Sequence, residues 1–111
     1  MLEALWSVEF QSSFGFHGNG VAVFETGRVL GGDSLMIYIG SFRVENGEVH
    51  SDIHVTKYAT VSGMGSVVGL NDFNLKLRGK PDRETMVLAG YVVEDPTRKI
   101  TIRAVRRAEL P

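Results

Sequence analysis

Residues 27–40 read G-R-V-L-G-G-D-S-L-M-I-Y-I-G, two apolar runs parted by Gly31, Gly32 and Asp33. Glycine takes positive φ without steric cost, and aspartate bonds its own backbone two residues on. Gly-Gly-Asp-Ser therefore predicts a reversal between two strands. The run before it is short. The run after it, Leu35 to Val44, is long and apolar on both faces. The rest of the chain is expected to add further strands to this hairpin.

Working backwards, Thr26-Gly27 makes a tight turn into a strand over Val21–Glu25. Ser12 to Gly20 is rich in Gly and Ser and reads as a loop carrying Phe14 and Phe16. Ahead of it Ala4, Trp6, Val8 and Phe10 alternate with polar residues, the signature of a half-buried strand. Working forwards, Asn46-Gly47 predicts a type I′ hairpin, which needs positive φ at both central residues. Val49, Ser51, Ile53 and Val55 then share one face of a strand, and His50, Asp52, His54 and Thr56 the other. Thr60–Asn71 has three glycines and no clean period, so it reads as a long connection with at most one helical turn. Phe73, Leu75 and Leu77 alternate, Gly79–Asp82 reads as a turn, Glu84–Glu94 is a strand and Asp95-Pro96-Thr97 turns again. Lys99 to Arg107 alternates once more. Eight strands with short connections predict a single all-β domain over residues 1–111, an antiparallel up-and-down β-barrel, because closure removes exposed edges. An eight-stranded barrel has room inside for side chains or for one small ligand. Trp6, Val8, Phe10, Ile53, Val55, Phe73, Leu75, Ile100 and Ile102 are expected to point inward. Trp6, Phe10, Ile53 and Phe73 are the candidate lining of any ligand cavity.

Hydrophobic residues make up 43% of the 111 and charged ones 23%, the balance of an ordinary soluble globule able to bury a core without staples. There is no cysteine, which excludes disulfides, thiolate metal sites and cysteine nucleophiles. The first residues lack the basic and apolar regions of a signal peptide. No apolar run reaches the ~18–20 residues of a membrane helix. A cytoplasmic protein with no membrane association is the expectation. Residues 1–60 hold seven acids and three bases, and residues 61–111 six acids and nine bases. A net charge of −1 thus conceals an acidic first half and a basic second half.

The motifs that could carry chemistry fail on spacing. His50, Asp52 and His54 share a strand face, but their neighbours there are ~7 Å apart and the outer pair ~13 Å, too far to share a metal ion. Gly63-Met64-Gly65-Ser66-Val67-Val68 has Val68 where a dinucleotide loop needs Gly. Gly79-Lys80 lacks the partners of a phosphate loop. No nucleophile, base and orienting group can be assembled, so neither an enzyme nor a cofactor is expected. Nucleic-acid binding is not expected either, since the pI is ≈ 6.3 and Tyr91 is the single aromatic beyond Phe73.

Two-faced apolar strands need a cover on the outside. In Leu35–Val44, one face carries Leu35, Ile37 and Ile39 and the other Met36, Tyr38 and Phe42. The expectation assigns Met36, Tyr38 and Phe42 to a homodimer interface, with the Thr60–Asn71 connection as the alternative cover.

The run from Gly18 to Phe42, G-N-G-V-A-V-F-E-T-G-R-V-L-G-G-D-S-L-M-I-Y-I-G-S-F, resembles the GrlR family, as does the earlier L-W-S-V-E-F; the likeness extends to Tyr58. GrlR is a negative regulator of type III secretion genes in enteropathogens. The resemblance implies a lipocalin-like barrel, a homodimer and a function in binding a transcriptional activator to block its access to DNA. That contact uses an acidic run before the fifth strand, which falls here on Glu45, Asn46, Gly47 and Glu48, two carboxylates where the family has four. The sequence thus leads to a non-enzymatic binding or regulatory protein with a protein partner. The alternative is a lipocalin-like carrier or sensor of a small apolar ligand.

Overall fold

Asn46 and Gly47 both adopt left-handed backbone, with φ of 53° and 76°, the geometry of a type I′ turn. This two-residue reversal sets Glu45 opposite Glu48 and thereby fixes the register of the strands on either side. The computed structural model describes residues 2–111. Its strands are β1 (Ala4–Ser12), β2 (His17–Glu25), β3 (Arg28–Gly32), β4 (Met36–Glu45), β5 (Glu48–Lys57), β6 (Asp72–Asp82), β7 (Thr85–Val92) and β8 (Asp95–Ala108). Each pairs antiparallel with its neighbour, and β8 closes onto β1. The protein is an eight-stranded, up-and-down antiparallel barrel.

Three local expectations need correction. β1 runs to Ser12 and β2 starts at His17, so much of the Ser12–Gly20 stretch is strand. Gly18 is there because the Phe10 ring lies where a Cβ would project, 2.3 Å from that position. Gly79–Asp82 is the end of β6 rather than a turn, and the reversal falls at Arg83, whose φ is 54°. Asp95-Pro96-Thr97 opens β8 rather than turning, and the reversal falls at Val93–Glu94.

The barrel closes through bends at inward glycines. A Cβ on Gly31 would lie 2.1 Å from the Val21 carbonyl oxygen, and one on Gly40 2.1 Å from that of Asp52. Gly79 and Gly90 approach the Val87 and Lys76 carbonyl oxygens even more closely, at 1.9 and 1.8 Å. These positions form two sharp corners, across β3–β4 and β6–β7, where only a missing side chain lets neighbouring strands come this near.

Even-numbered residues of β1 and β2 and odd-numbered residues of β5 and β6 fill the interior. All nine residues expected to point inward do so; Phe10 and Ile102 are half-buried and the other seven are buried. Met36, Tyr38 and Phe42 are inward as well. Met36 is buried, the Tyr38 ring meets Phe10 edge-on, and Phe42 packs 5.0 Å from Phe24. The face expected from the sequence to form a dimer interface is therefore lumen lining. The outward face of β4 is Ile37 and Ile39. Leu35 leaves that face because it lies before the strand begins, and it is buried.

Candidate functional site

Up-and-down topology gathers the connections at two ends. One end carries the Thr26–Gly27, Asn46–Gly47 and Arg83–Glu84 turns, and here the interior is solid. Trp6, Val49 and Met86 are fully buried there, and Trp6 Nε1 donates to the Leu2 carbonyl at 2.9 Å. The other end carries residues 13–16, 33–35, 58–71 and 93–94, and here the interior is hollow.

A cavity of about 150 Å³ extends from that end into the lumen, lined mostly by apolar side chains that include Phe10, Ile53 and Phe73. Three of the four cavity residues expected from the sequence therefore line it. Trp6 does not, because it lies deeper and plugs the closed end. His17, Asn19, Asp33, Ser34 and Ser66 lie around the polar rim. Aromatic rings reach into the lumen over backbone that carries no side chain: Phe10 over Gly18, and Tyr38 with its hydroxyl 2.7 Å from where a Gly20 Cβ would be.

Asp33 organises the rim. Its Oδ1 accepts from the Leu35 and Met36 amides at 2.8 and 2.7 Å, and its Oδ2 accepts from the Tyr38 hydroxyl. The Tyr58 hydroxyl donates to the Asp33 carbonyl at 2.6 Å. Burial, and then the hydrogen bond to Asp33 and its charge, push the Tyr38 phenol far above its ordinary range. Tyr38 is thus a neutral donor at any physiological pH, held in place rather than poised for proton transfer. In the sequence Asp33 reads only as a turn former; its Asx-type bonds are legible there, its grip on Tyr38 is not.

The 58–71 connection caps the hollow end. Val68 is fully buried, and Val61, Val67 and Leu70 pack on the core, while Met64 to Val67 border the cavity. The connection therefore lies over part of an end of the barrel, beside the cavity mouth, and not over its outer wall. Arg98 pins it down. Its Nη1 donates to the Val68 carbonyl at 2.6 Å, its Nε to Asp95 at 2.9 Å, and its guanidinium lies 5.4 Å from the Phe14 ring. One side chain so ties two connections to the start of β8.

Asp95 is held below the usual carboxylate range by hydrogen bonds from the Thr97 hydroxyl and from Arg98. Because the folded value is depressed, this contribution is complete above the ordinary carboxylate range, about pH 4, and is lost as pH falls through the lower folded value. Arg98→Ala is expected to free the cap at neutral pH, and acidification to loosen it in the parent. The Val68 and Gly69 amide signals in NMR spectra should broaden or shift in both cases. Unchanged signals in Arg98→Ala would show that burial of Val68 alone holds the cap.

The Glu45–Glu48 hairpin lies at the solid end, away from the cavity. Glu45 is ion-paired with Arg43 at 2.6 Å, and that bond holds its carboxyl below the usual range. Glu48 lies 3.3 Å from His50. On β5, Asp52 approaches Arg43 and Lys76, and His54 meets Asp72 at 2.7 Å. The two histidines and Asp52 thus each have a different neighbour.

No family model and no curated protein matches this chain. Among solved structures it is similar to a redesigned β-barrel, 13% identical, with a TM-score of 0.52 over 96% of this chain and 91% of that one. At that identity the likeness concerns the fold alone. The class of protein defined is a closed antiparallel β-barrel, plugged at one end and hollow at the other.

Proposed function

We propose that this barrel is a non-enzymatic binding protein for a small apolar ligand, a carrier or a sensor. The observation that carries the reading is the apolar cavity of about 150 Å³ opening at one end of the lumen. Apolar cavities near this size stay dry and take ligands such as benzene or xenon. The volume therefore favours a ligand of one ring, or a short aliphatic chain, over a long acyl chain. The Tyr38 hydroxyl and the polar rim would face the ligand's outer end.

Toluene and benzene are suitable probes. Titration should move the NMR signals of Ile53, Val55 and Phe73 and raise the melting temperature, since a ligand at a hundred times its Kd adds about 2.7 kcal/mol to stability. Ala22→Leu, which adds bulk at the cavity wall, should abolish the response while the barrel stays folded. Signals that do not move at saturating probe would overturn the reading.

A second reading, a regulator acting through a protein partner or as a homodimer, is supported by the outer wall of β2–β4. Val21, Leu30, Ile37 and Ile39 are 51%, 41%, 36% and 55% exposed. Val23, Leu30 and Ile39 lie side by side in register across the three strands. An apolar patch of this kind is unusual on a small monomer that has no partner. The resemblance of Gly18–Phe42 to the GrlR family supports the same reading. Sedimentation should then show a dimer that dissociates in Ile39→Asp but not in Glu45→Gln. A monomer at micromolar concentration would remove the homodimer.

A further inference from the structure

A second concavity lies on the outer wall, on the side that holds the basic half of the sequence. It runs across the strands between two rungs of side chains. One rung reads Arg43, His50, Arg78, Ala89 and Thr101 from β4 to β8, and the other Asp52, Lys76, Tyr91 and Lys99 from β5 to β8. At a strand spacing of ~4.8 Å, the longer rung spans about 19 Å. The groove between them has a volume of about 630 Å³, and its floor is made by small Ala89 and by the bend at Gly90.

Its charge is one-sided. Arg43, Lys76, Arg78 and Lys99 line it with a single carboxylate in the lining, Asp52, at one edge, 3.9 Å from Arg43 and 3.8 Å from Lys76; Arg43 is also held by Glu45, so the anion-facing charge rests on Lys76, Arg78 and Lys99. Lys99 Nζ lies 5.5 Å from the Tyr91 ring centroid. The next rung adds exposed Lys80 and Arg103, with Val87 between them, before Glu9 follows on β1. Arginine forks and lysine ammonium groups converging on an open channel recognise carboxylates or phosphates.

We propose that this groove is a docking surface for an acidic, extended segment of a partner protein. Charge complementarity selects an anionic occupant, and the length of the groove suits a linear one. The aromatic content separates peptide from nucleic acid. The groove holds two rings on different rungs, Tyr91, engaged by Lys99, and His50, 3.3 Å from Glu48, so there is no ladder on which successive bases could stack. The site is independent of the lumen and of the apolar patch on β2–β4.

The test is fluorescence anisotropy at low salt with a labelled oligo-glutamate peptide and, separately, a labelled oligo-thymidylate strand. The peptide should bind with an affinity that falls as salt is added. Arg78→Glu and Lys99→Glu should each weaken it about tenfold or more, whereas Lys57→Glu, outside the groove, should not. Each substitution is on an exposed strand face, and circular dichroism of each variant should match that of the parent barrel. Absence of peptide binding at low salt would overturn the proposal, and so would binding that survives both charge reversals. Tighter binding of the thymidylate strand would overturn it in favour of a nucleic-acid surface.

Discussion

Gly90→Ala is expected to be among the most damaging single changes in this protein, costing about 3 kcal/mol or more. The added methyl group would lie 1.8 Å from the Lys76 carbonyl oxygen, 2.8 Å from its carbonyl carbon and 3.0 Å from the Leu77 Cα. All three are backbone atoms of the paired strand, so no rotamer change can relieve the contact. The chain must either straighten the β6–β7 corner or lose the Leu77–Gly90 pairing. Conformational preference is not the cause here, since Gly90 is not among the residues with positive φ. Gly47 is the useful contrast: its φ is 76°, but nothing lies within 4 Å of the point where a methyl group would project. Gly47→Ala should cost only about 1–2 kcal/mol, the penalty of left-handed backbone for an L-residue. Urea denaturation of the two variants separates crowding from strain. A Gly90→Ala midpoint shift smaller than that of Gly47→Ala would show that the corner relaxes easily.

The alternation of Trp6, Val8 and Phe10, of Val49 to Val55 and of Phe73 to Leu77 carries the strand count and the inward faces of β1, β5 and β6. Period-two reasoning is strong where one face is polar. It is silent on β4, where Leu35 to Val44 is apolar on both sides, and there the expected outward face for Met36, Tyr38 and Phe42 is the wrong one. The deciding signal is nonetheless present. A two-residue Asn46-Gly47 turn places Glu45 opposite Glu48, hence Phe42 opposite Ser51 and Tyr38 opposite Val55. Cross-strand partners share a face, so the inward Ser51 and Val55 carry Phe42 and Tyr38 inward with them. Glycine misleads in the other direction. Gly18, Gly20 and Gly79 look like breakers in the sequence, whereas in a tightly curved barrel an inward glycine marks a corner or a ring resting on bare backbone. The cavity is legible only as a capacity of eight strands. Its position depends on which end Trp6, Val49 and Met86 fill, and that follows from three-dimensional packing of residues far apart in the chain. The outer basic groove is foreshadowed by the charge asymmetry between the two halves, but its rungs exist only once the strand register is known.

Trp6→Ala is the second large effect, and it reaches from stability to ligand choice. Trp6 is fully buried at the solid end, donates to the Leu2 carbonyl and packs against Phe24 with ring centroids 6.1 Å apart. Truncation removes that packing and leaves a void among neighbours that are themselves part of a closed sheet and cannot collapse far, so a loss of about 3–5 kcal/mol is expected. Trp6→Phe keeps most of the apolar bulk and gives up the hydrogen bond to a carbonyl near the surface, so it should cost about 1 kcal/mol beyond the lost volume. The same void lies beneath the cavity and would deepen it toward the plugged end. A two-ring probe such as naphthalene, too large for about 150 Å³, should then bind Trp6→Ala while leaving the parent and Trp6→Phe unaffected. Melting curves with and without the probe read both effects at once. A Trp6→Ala protein that melts with the parent would mean the plug is not where the barrel's stability lies. A destabilised variant that still refuses the larger probe would mean that the lumen closes over the gap, and that the size limit is set at the open rim by Phe10 and Tyr38.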